Sequence, residues 1–305
     1  MFVVVASENG RTGMEAAAAI LRGGGSAVDA VEAAARIVEA DPADHTVGVG
    51  SYPNVAGDVE LDASIMEGTS RRAGAVGALR GFPHPISVAR AVMEQLPNHV
   101  LLVGDGAARF AAEHGFEPRE TLTDEARAVW ERKAKALPGA TLAERARLAT
   151  DADKTSGTVN FVALDSLGRM ASAVSTSGWA FKHPGRLGDS PLIGAGNYCD
   201  DRYGACACTG LGEWAIRAGA ARMVVAGLQN GMPIDDACRA VMADFDDLPL
   251  PVGLDGVMSL VALGRDGRHA AWSTEAGRRY VWVSDTSNGI RTEERSALLA
   301  RPNRF

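Results

Sequence analysis

Three hydroxyl residues lie close together in the stretch KTSGTV, at residues 154–159, and each is a candidate nucleophile. They are Thr155, Ser156 and Thr158, with Gly157 between the last two. A cut after Gly157 would give Thr158 a free α-amino group beside its own hydroxyl. Such an amine has an ordinary pKa of about 7.7–8.0, so at neutral pH part of it is uncharged and can accept the hydroxyl proton. Glycine suits this cut because it permits the strained backbone that an N-to-O acyl shift needs. The local sequence leaves all three hydroxyls open.

A glycine-rich segment at residues 175–212 holds a second candidate group. Its many glycines predict a mostly irregular backbone, and long loops inside compact domains are usually functional. Arg186 and Asp189 lie three residues apart in the sequence PGRLGD. One positive and one negative group are what binding the carboxylate and ammonium of an amino acid requires. The alternative is a structural ion pair between these two side chains.

Other familiar catalytic patterns lack support in the sequence. GDSP at residues 188–191 is similar to a serine-esterase motif, but it lies in the wrong place for such an enzyme. Asp266 and His269, which would complete that esterase pattern, fit a hairpin turn better. No P-loop, dinucleotide-binding or zinc-protease motif occurs, and the six histidines show no metal-ligand spacing. We therefore expect neither a histidine-dependent triad nor a metal site.

The composition is that of an ordinary globular protein. The chain has 305 residues, of which 46% are hydrophobic and 23% charged, and this argues against disorder. The net charge of −7, without long basic runs, argues against a nucleic-acid partner. No apolar run reaches the roughly 18 residues of a membrane helix, and the N-terminus has no basic leader, so we predict a soluble, cytoplasmic protein. The cysteines are expected to be reduced core residues: Cys199, Cys206, Cys208 and Cys238.

The hydrophobic pattern predicts the helices and strands that must position these groups. Before the candidate cut, we predict strands at 2–6, 59–66 and 99–106, and helices at 14–22, 26–40 and 84–96. Residues 122–154 are predicted to form two solvated helices and an exposed linker. After the cut, we predict a hairpin of 158–164 and 169–175, strands at 256–264, 269–274 and 279–284, and helices at 211–228 and 234–246. Two sheets that share helices in one compact unit would accommodate this order.

Several long motifs, in the same order, resemble one family. The run TSGTVNFVALDSLGRMASAVSTSGWAFKHPGRLGDSPLIGAGNYCDD, with TGLGE downstream, is similar to the β-subunit start of the N-terminal-nucleophile (Ntn) asparaginases. GGGSAVDAVEAA, VELDASIMEG, AGAVGAL, HPISVARAVME and LLVGDGAARFA resemble the α-subunit of that family. The resemblance covers nearly the whole chain and is weakest over 118–153. It implies an α+β fold, the four-layer αββα sandwich of Ntn hydrolases, with residues 1–305 forming a single domain that is autocleaved into a 1–157 α-chain and a 158–305 β-chain.

The resemblance also implies roles for individual residues. Thr158 would be the nucleophile freed by cleavage after Gly157, and Thr176 would hydrogen-bond it and tune its amine. Arg186 would bind the α-carboxylate of the substrate, and Asp189 its α-ammonium. The oxyanion hole would consist of Thr209 and Gly210, and Gly210 and Gly212 would also contact the substrate.

The implied activity is an amidohydrolase without a cofactor or a metal. Its threonine would attack the side-chain amide of an asparagine derivative, form a β-aspartyl ester and release an amine, and water would then release aspartate. The resemblance also implies a dimer of αβ heterodimers that acts on a small molecule, with no nucleic acid and no membrane.

The motifs divide between two branches of this family. Ser156-Gly157 before the threonine is the plant-type asparaginase pattern. Residues 44–63, however, lack the N-A-G-x-G sequence of the plant-type sodium-binding loop and are nearer to the glycosylasparaginases, although Glu8 stands about where those enzymes carry a tryptophan. We predict substrates of the N4-(β-N-acetylglucosaminyl)-L-asparagine type. The alternatives are L-asparagine or β-aspartyl (isoaspartyl) dipeptides, and an uncleaved, non-catalytic protein that binds an amino acid.

Overall fold

The computed structural model describes residues 1–135, 139–152, 157–246, 248 and 256–298. The strands are β1 (Val3–Ser7), β2 (Leu61–Glu67), β3 (Ala73–Leu79), β4 (Leu101–Val103), β5 (Val159–Leu164), β6 (Met170–Thr176), β7 (Asn197–Asp200), β8 (Gly204–Gly210), β9 (Met258–Gly264), β10 (His269–Ser273), β11 (Arg279–Ser284), β12 (Arg291–Glu294) and β13 (Ser296–Ala297). The α-helices are α1 (Met14–Arg22), α2 (Ala27–Glu39), α3 (Pro85–Gln95), α4 (Gly104–Glu113), α5 (Asp124–Trp130), α6 (Leu142–Ala152), α7 (Gly212–Ala218), α8 (Ala220–Gln229) and α9 (Ile234–Asp246). A 3₁₀ helix spans Glu8–Gly13, and a π turn spans Glu131–Lys135.

Within the described residues, the strands form two sheets. The larger has the order β12-β11-β1-β5-β6-β2-β3-β4, and the smaller has the order β13-β10-β9-β8-β7. The sheets pack face to face through apolar residues such as Val5 and Val162 of the first and Ala207 and Val261 of the second. Helices α1, α2 and α3 cover the outer face of the large sheet, and α8 and α9 cover that of the small one. The layers are therefore helix, sheet, sheet, helix, which confirms the predicted αββα sandwich.

The alternation of side chains along the inner strands explains this layering. In β5, Phe161 and Ala163 pack against the outer helices, whereas Val162 and Leu164 pack against the second sheet. Successive side chains of a strand point to opposite faces, so a strand buried on both faces is apolar throughout. The unbroken apolar run of residues 159–164 places this strand, and the threonine before it, in the middle of the sandwich.

The glycine-rich segment is mostly irregular, as predicted, but not throughout. Residues 177–196 belong to no helix or strand, whereas the end of the segment contains β7 and β8, and β8 pairs with β7 on one side and β9 on the other. Glycine and other small residues fit there because neighbouring chain approaches closely: a side chain on Gly204 would lie 2.6 Å from the Leu263 carbonyl oxygen. As expected for one strand face, Cys206 and Cys208 share one apolar cluster, and both thiols are free.

Two helix boundaries also differ from the prediction. Residues 104–106 begin helix α4 and do not extend the preceding strand. The predicted helix 211–228 is divided into α7 and α8 at Gly219, which has a φ of 61°, a left-handed conformation that ends a helix.

Helices α5 and α6 were predicted to be solvated, and this was wrong for one side of each. Ala126 of α5 is fully buried, as is Ala134 of the π turn, and Ala146 and Ala149 of α6 are 8% and 3% exposed. Small side chains let the helices approach the body of the protein closely, a pattern that a count of charges does not reveal. Thr155 and Ser156 of the predicted linker lie outside the described residues. In the described part of the chain, no helix combines the length and the apolar character needed to cross a membrane.

Candidate active site

The pairing of β5 with β6 brings Thr158 and Thr176 together. These strands are antiparallel and Val159 lies opposite Ser175, so the residue before β5 meets the last residue of β6. The Thr158 hydroxyl donates to Thr176 Oγ1 over 3.2 Å. Thr176 in turn donates to the carbonyl oxygen of Gly157 over 2.7 Å and accepts from the backbone N–H of Gly178 over 2.9 Å. The single proton and both lone pairs of the Thr176 hydroxyl are thereby used.

Thr46 packs directly against Gly157. A Cβ atom on Gly157 would overlap the Thr46 hydroxyl and lie 2.8 Å from its Cβ. Thr46 is fixed by Asp44, whose Oδ1 accepts from the Thr46 hydroxyl at 2.5 Å and from its backbone N–H at 3.0 Å. Asp44 is itself held by Asn9, which donates to its other oxygen over 3.0 Å. Space, and not a left-handed backbone, is what requires glycine here, since Gly157 is not among the residues with positive φ.

Arg186 is oriented by Glu213 and Trp179. Its Nε and Nη2 atoms donate to Glu213 Oε1 over 3.0 and 2.7 Å. Its guanidinium carbon lies 5.4 Å from the ring centroid of Trp179, within cation–π range. The alternative of an Arg186–Asp189 ion pair is therefore not what forms. Nη1 donates no hydrogen bond to any described residue and lies beside Gly178, so it can meet an incoming carboxylate.

Asp189 is a buried carboxylate with one unused oxygen. It is 3% exposed, and Oδ2 has no hydrogen-bond partner among the described residues. Burial raises the pKa of Asp189 to about 6, against the opposing effect of Arg186. Gly212 makes room for this carboxylate, because a Cβ there would lie 2.7 Å from Asp189 Oδ1. A buried carboxylate with an unpaired oxygen is suited to receive an ammonium group.

Thr209 and Gly210 end strand β8, two residues before the Gly212 that lies beside Asp189. Gly210 has a φ of 113°, a conformation that side chains disfavour, and a Cβ there would overlap the Val257 carbonyl. The chain turns at this glycine from β8 into α7, which begins at Gly212 beside Asp189. Asn160 of β5 donates to the Ala207 carbonyl of β8 over 3.1 Å, and this bond joins the nucleophile strand to the strand that carries Thr209.

Two buried charged residues escaped the sequence prediction. Asp62 of β2 lies opposite Thr176 in the sheet register and is fully buried, and burial raises its pKa. The Lys182 ammonium lies 3.6 Å from Asp62 Oδ2 and donates to the Glu60 carbonyl over 3.3 Å. For Asp62 the sequence did carry a signal, a charged residue within an otherwise apolar strand, because Asp is rarely buried unless it is paired. Lys182 lies in an irregular segment and gave no such signal.

The remaining sequence candidates lie outside this group. Asp266 accepts from Arg268 over 2.6 Å in the turn between β9 and β10, as predicted for a hairpin, and His269 stands beside Tyr280. Among the described residues, no group of three or more His, Cys, Asp or Glu side chains could hold a metal ion.

Comparison with known proteins establishes the class of this molecule. A family model described as Asparaginase matches residues 6–291, and the chain belongs to this family, whose members are Ntn-type hydrolases that act on amides. The family predicted from the motifs is confirmed.

Curated relatives of two kinds share this family. The chain is 41% identical to the isoaspartyl peptidase/L-asparaginase of Rattus norvegicus over 268 residues, which cover 87% of this chain and 76% of the relative. It is 37% identical to the isoaspartyl peptidase of Salmonella typhimurium over 271 residues, 88% of this chain and 84% of the relative. It is also 36% identical to the N(4)-(β-N-acetylglucosaminyl)-L-asparaginase of Elizabethkingia miricola over 276 residues, 90% of this chain and 78% of the relative.

Proposed function

We propose that the chain is an L-asparaginase and isoaspartyl peptidase that is activated by its own cleavage between Gly157 and Thr158. The hydrogen-bonded series from Thr158 through Thr176 to the Gly157 carbonyl supports the self-cleavage. The names of the rat and Salmonella relatives support this substrate class over the sugar conjugate that the sequence first favoured. The name of the Elizabethkingia relative keeps the sugar conjugate as the second candidate.

The cleavage step uses Thr176 as a relay. Thr158 Oγ1 attacks the Gly157 carbonyl carbon and passes its proton to Thr176, while Thr176 passes its own proton to the carbonyl oxygen. The transition state therefore avoids a full negative charge on that oxygen. Collapse re-forms the Gly157 carbonyl and breaks the C–N bond, as the proton on that oxygen moves to the leaving nitrogen. Gly157 is left as an ester on Thr158, and water then hydrolyses this ester. Thr158 now begins a β-chain of residues 158–305, with a free amine.

The hydrolysis of the substrate uses the same hydroxyl. The uncharged α-amine of Thr158 takes the proton of its hydroxyl, and the oxygen attacks the side-chain carbonyl of the substrate. Arg186 Nη1 binds the α-carboxylate of the substrate and Asp189 its α-ammonium. The Thr209 hydroxyl and the Gly210 N–H stabilise the oxyanion, and loss of one such donor typically costs about 10²–10³ in rate. The leaving amine or ammonia takes a proton, and water releases aspartate from the β-aspartyl ester.

The N-terminal region gives a further reason to favour the smaller substrates. Glu8, which stands about where glycosylasparaginases carry a tryptophan, forms an ion pair of 3.1 Å with Arg279. A sugar ring could stack on an aromatic side chain at this position, but Glu8 offers no such surface.

A substrate panel tests this proposal. We expect N-terminal sequencing of the purified protein to detect chains that begin at Met1 and at Thr158. We expect kcat/KM for L-asparagine or a β-aspartyl dipeptide to exceed that for the sugar conjugate by at least about tenfold. Thr158→Ala should remain one chain and be inactive. A stronger sugar-conjugate signal would establish the second candidate. A wild-type chain that stays whole, and binds aspartate without hydrolysing any substrate, would establish the non-catalytic alternative.

The predicted assembly is also part of the proposal. We expect two αβ heterodimers to associate, as the resemblance implies, and the mass of the intact particle in solution will measure this. A particle with the mass of one 31.8 kDa chain would contradict it.

A further inference from the structure

We propose that helices α5 and α6 stay docked after the cleavage and act as a brace for residues 178–182, with Phe181 as the positioning residue. The term brace refers to residues 124–135 and 142–149. This inference rests on the proposed function, because a cut after Gly157 would make α6 the last described helix of the α-chain.

The brace has a buried face that fits the body of the protein. Ala146 and Ala149 lie three residues apart on α6, so they project from one side of the helix. Together with Ala134 they form an apolar cluster with Val55 and Phe181. Ala143, in the first turn of α6, is exposed. This arrangement is a packed interface and not a solvated tether, so breaking the chain at Gly157 removes none of these contacts.

Trp130 anchors the brace to a second loop. Its indole N–H donates to the Val55 carbonyl over 3.3 Å. Its ring lies so close to Gly57 that a Cβ atom there would come within 2.9 Å of it. The brace therefore contacts both the loop that contains Val55 and the loop that contains Phe181.

Phe181 stands in a conformation that its own backbone disfavours. Its φ is 60°, in the left-handed region where bulky side chains are rare, and its side chain is fully buried. Such strain persists only where the surroundings fix it. Here the Phe181 N–H donates to the Pro53 carbonyl over 3.0 Å, its ring stacks on Tyr52 with centroids 5.7 Å apart, and the brace covers it.

The residues on either side of Phe181 belong to the candidate site. Gly178 donates to Thr176, Trp179 lies against the Arg186 guanidinium, and Lys182 is paired with Asp62. If the brace is released, Phe181 can relax and Trp179 no longer holds Arg186 in place. The first consequence should be weaker substrate binding, a rise in KM larger than the change in kcat.

Hydrogen exchange on the cleaved wild-type protein tests the docking directly. We expect the backbone amides of 145–149, which have helical hydrogen-bond acceptors, to remain protected after the cut, at least about tenfold more slowly exchanging than an unstructured chain. The steady-state test compares Ala146→Glu with Ala143→Glu, which places the same charge at an exposed position in the first turn of the same helix. We expect Ala146→Glu to raise KM for L-asparagine at least about fivefold and to abolish the protection, while Ala143→Glu resembles the wild type.

Phe181 variants test whether the buried ring is what positions residues 178–182. Phe181→Gly removes the unfavourable φ but also the ring, whereas Phe181→Tyr keeps a ring in place. We expect Phe181→Gly to raise KM and Phe181→Tyr to retain KM near the wild-type value. Both variants should be cleaved, as judged by two bands on a denaturing gel.

Several outcomes would overturn this inference. Rapid exchange of 145–149 in the cleaved, active wild type would show that the helices leave. Equal KM values for Ala146→Glu and Ala143→Glu, or for Phe181→Gly and the wild type, would show that the brace positions nothing. A wild type that is never cleaved, or is cleaved and hydrolyses no panel substrate, rejects the proposed function itself and the brace with it.

Discussion

The side chain of Thr46 occupies the space that a side chain on Gly157 would need. Thr46 cannot retreat easily, because its hydroxyl and its backbone N–H are both bonded to Asp44. The Gly157–Thr158 peptide bond, where we propose the cleavage, is thus packed against Thr46 on one side and accepts a hydrogen bond from Thr176 at its carbonyl. The loop before β2 and the end of β6 together fix the geometry of this peptide bond.

Gly157→Ala should slow the self-cleavage. The added methyl group overlaps Thr46, and such overpacking typically costs about 1–3 kcal/mol, or roughly fivefold to 150-fold in rate if it falls on the transition state. The rate is the conversion of one band to two on a denaturing gel after synthesis. Thr46→Gly in the same protein should restore part of the rate, because it removes the overlapping atoms. Cleavage of Gly157→Ala at the wild-type rate would contradict this.

Thr176→Ala should impair both the self-cleavage and the hydrolysis. The variant loses the hydroxyl that donates to the Gly157 carbonyl and accepts from Thr158. Removal of one preorganised donor costs about 10²–10³ in rate. Thr176→Ser is the control, because serine keeps the hydroxyl and should retain most of both rates. Gel bands and kcat for L-asparagine measure the two steps, and a fast Thr176→Ala enzyme would remove the relay from the mechanism.

Glu213→Gln should raise KM with little change in kcat. Glu213 holds Arg186 through two hydrogen bonds, but the Glu213 side chain is 49% exposed. Ion pairs so open to solvent contribute about 0–1 kcal/mol, so a rise in KM of no more than about fivefold is expected. Asp236→Asn, which breaks the exposed ion pair of Asp236 with Arg239 on α9, is the control and should leave KM unchanged. A large loss of kcat would mean that Glu213 acts in the chemistry.

The sequence predicted the parts of this molecule that rest on local pattern. The hairpin of β5 and β6 follows from two short apolar runs around a turn, and it is this hairpin that brings Thr158 beside Thr176. The order of the four layers was predicted from the family resemblance alone. Strand β8 was missed because its glycines are needed for close packing in a sheet, a tertiary reason that overrides local propensity.

The contacts that tune the site could not be predicted in the same way. Arg186 pairs with Glu213, twenty-seven positions away, and not with Asp189, its neighbour of opposite charge. Lys182 pairs with Asp62, which lies in a distant segment of the chain. Phe181 packs against helices that we predicted to be solvated because their sequence is rich in charged residues. Each of these pairings depends on how distant segments fold back, which periodicity does not encode.

The KM for the substrate should depend on the ionisation of Asp189. Burial raises the pKa of this carboxyl to about 6, and its ionised form is the one that binds an ammonium group. We therefore expect KM for L-asparagine to rise as the pH falls below about 6, in addition to the fall in kcat that protonation of the Thr158 α-amine causes at acid pH. Asp189→Asn should lose this dependence and raise KM about thirtyfold or more, because removing one partner of a buried charge pair costs about 2–5 kcal/mol. A pH-independent KM in the wild type would contradict the role of Asp189.

The same variant should stabilise the fold at neutral pH. The pKa of Asp189 lies above its ordinary value of 3.8, so between about pH 4 and pH 6 the folded chain holds a proton that the unfolded chain releases. Stability then falls as the pH rises through this window, by an amount on the order of 3 kcal/mol for a shift of about two units. Asparagine carries no charge and avoids this penalty, so Asp189→Asn should melt several degrees above the wild type at pH 8 and near it at pH 4. Equal melting temperatures of the variant and the wild type at pH 8 would contradict this, because they would mean that the fold stabilises the ionised carboxylate. A variant that gains stability while it loses substrate affinity would identify Asp189 as a residue retained for binding.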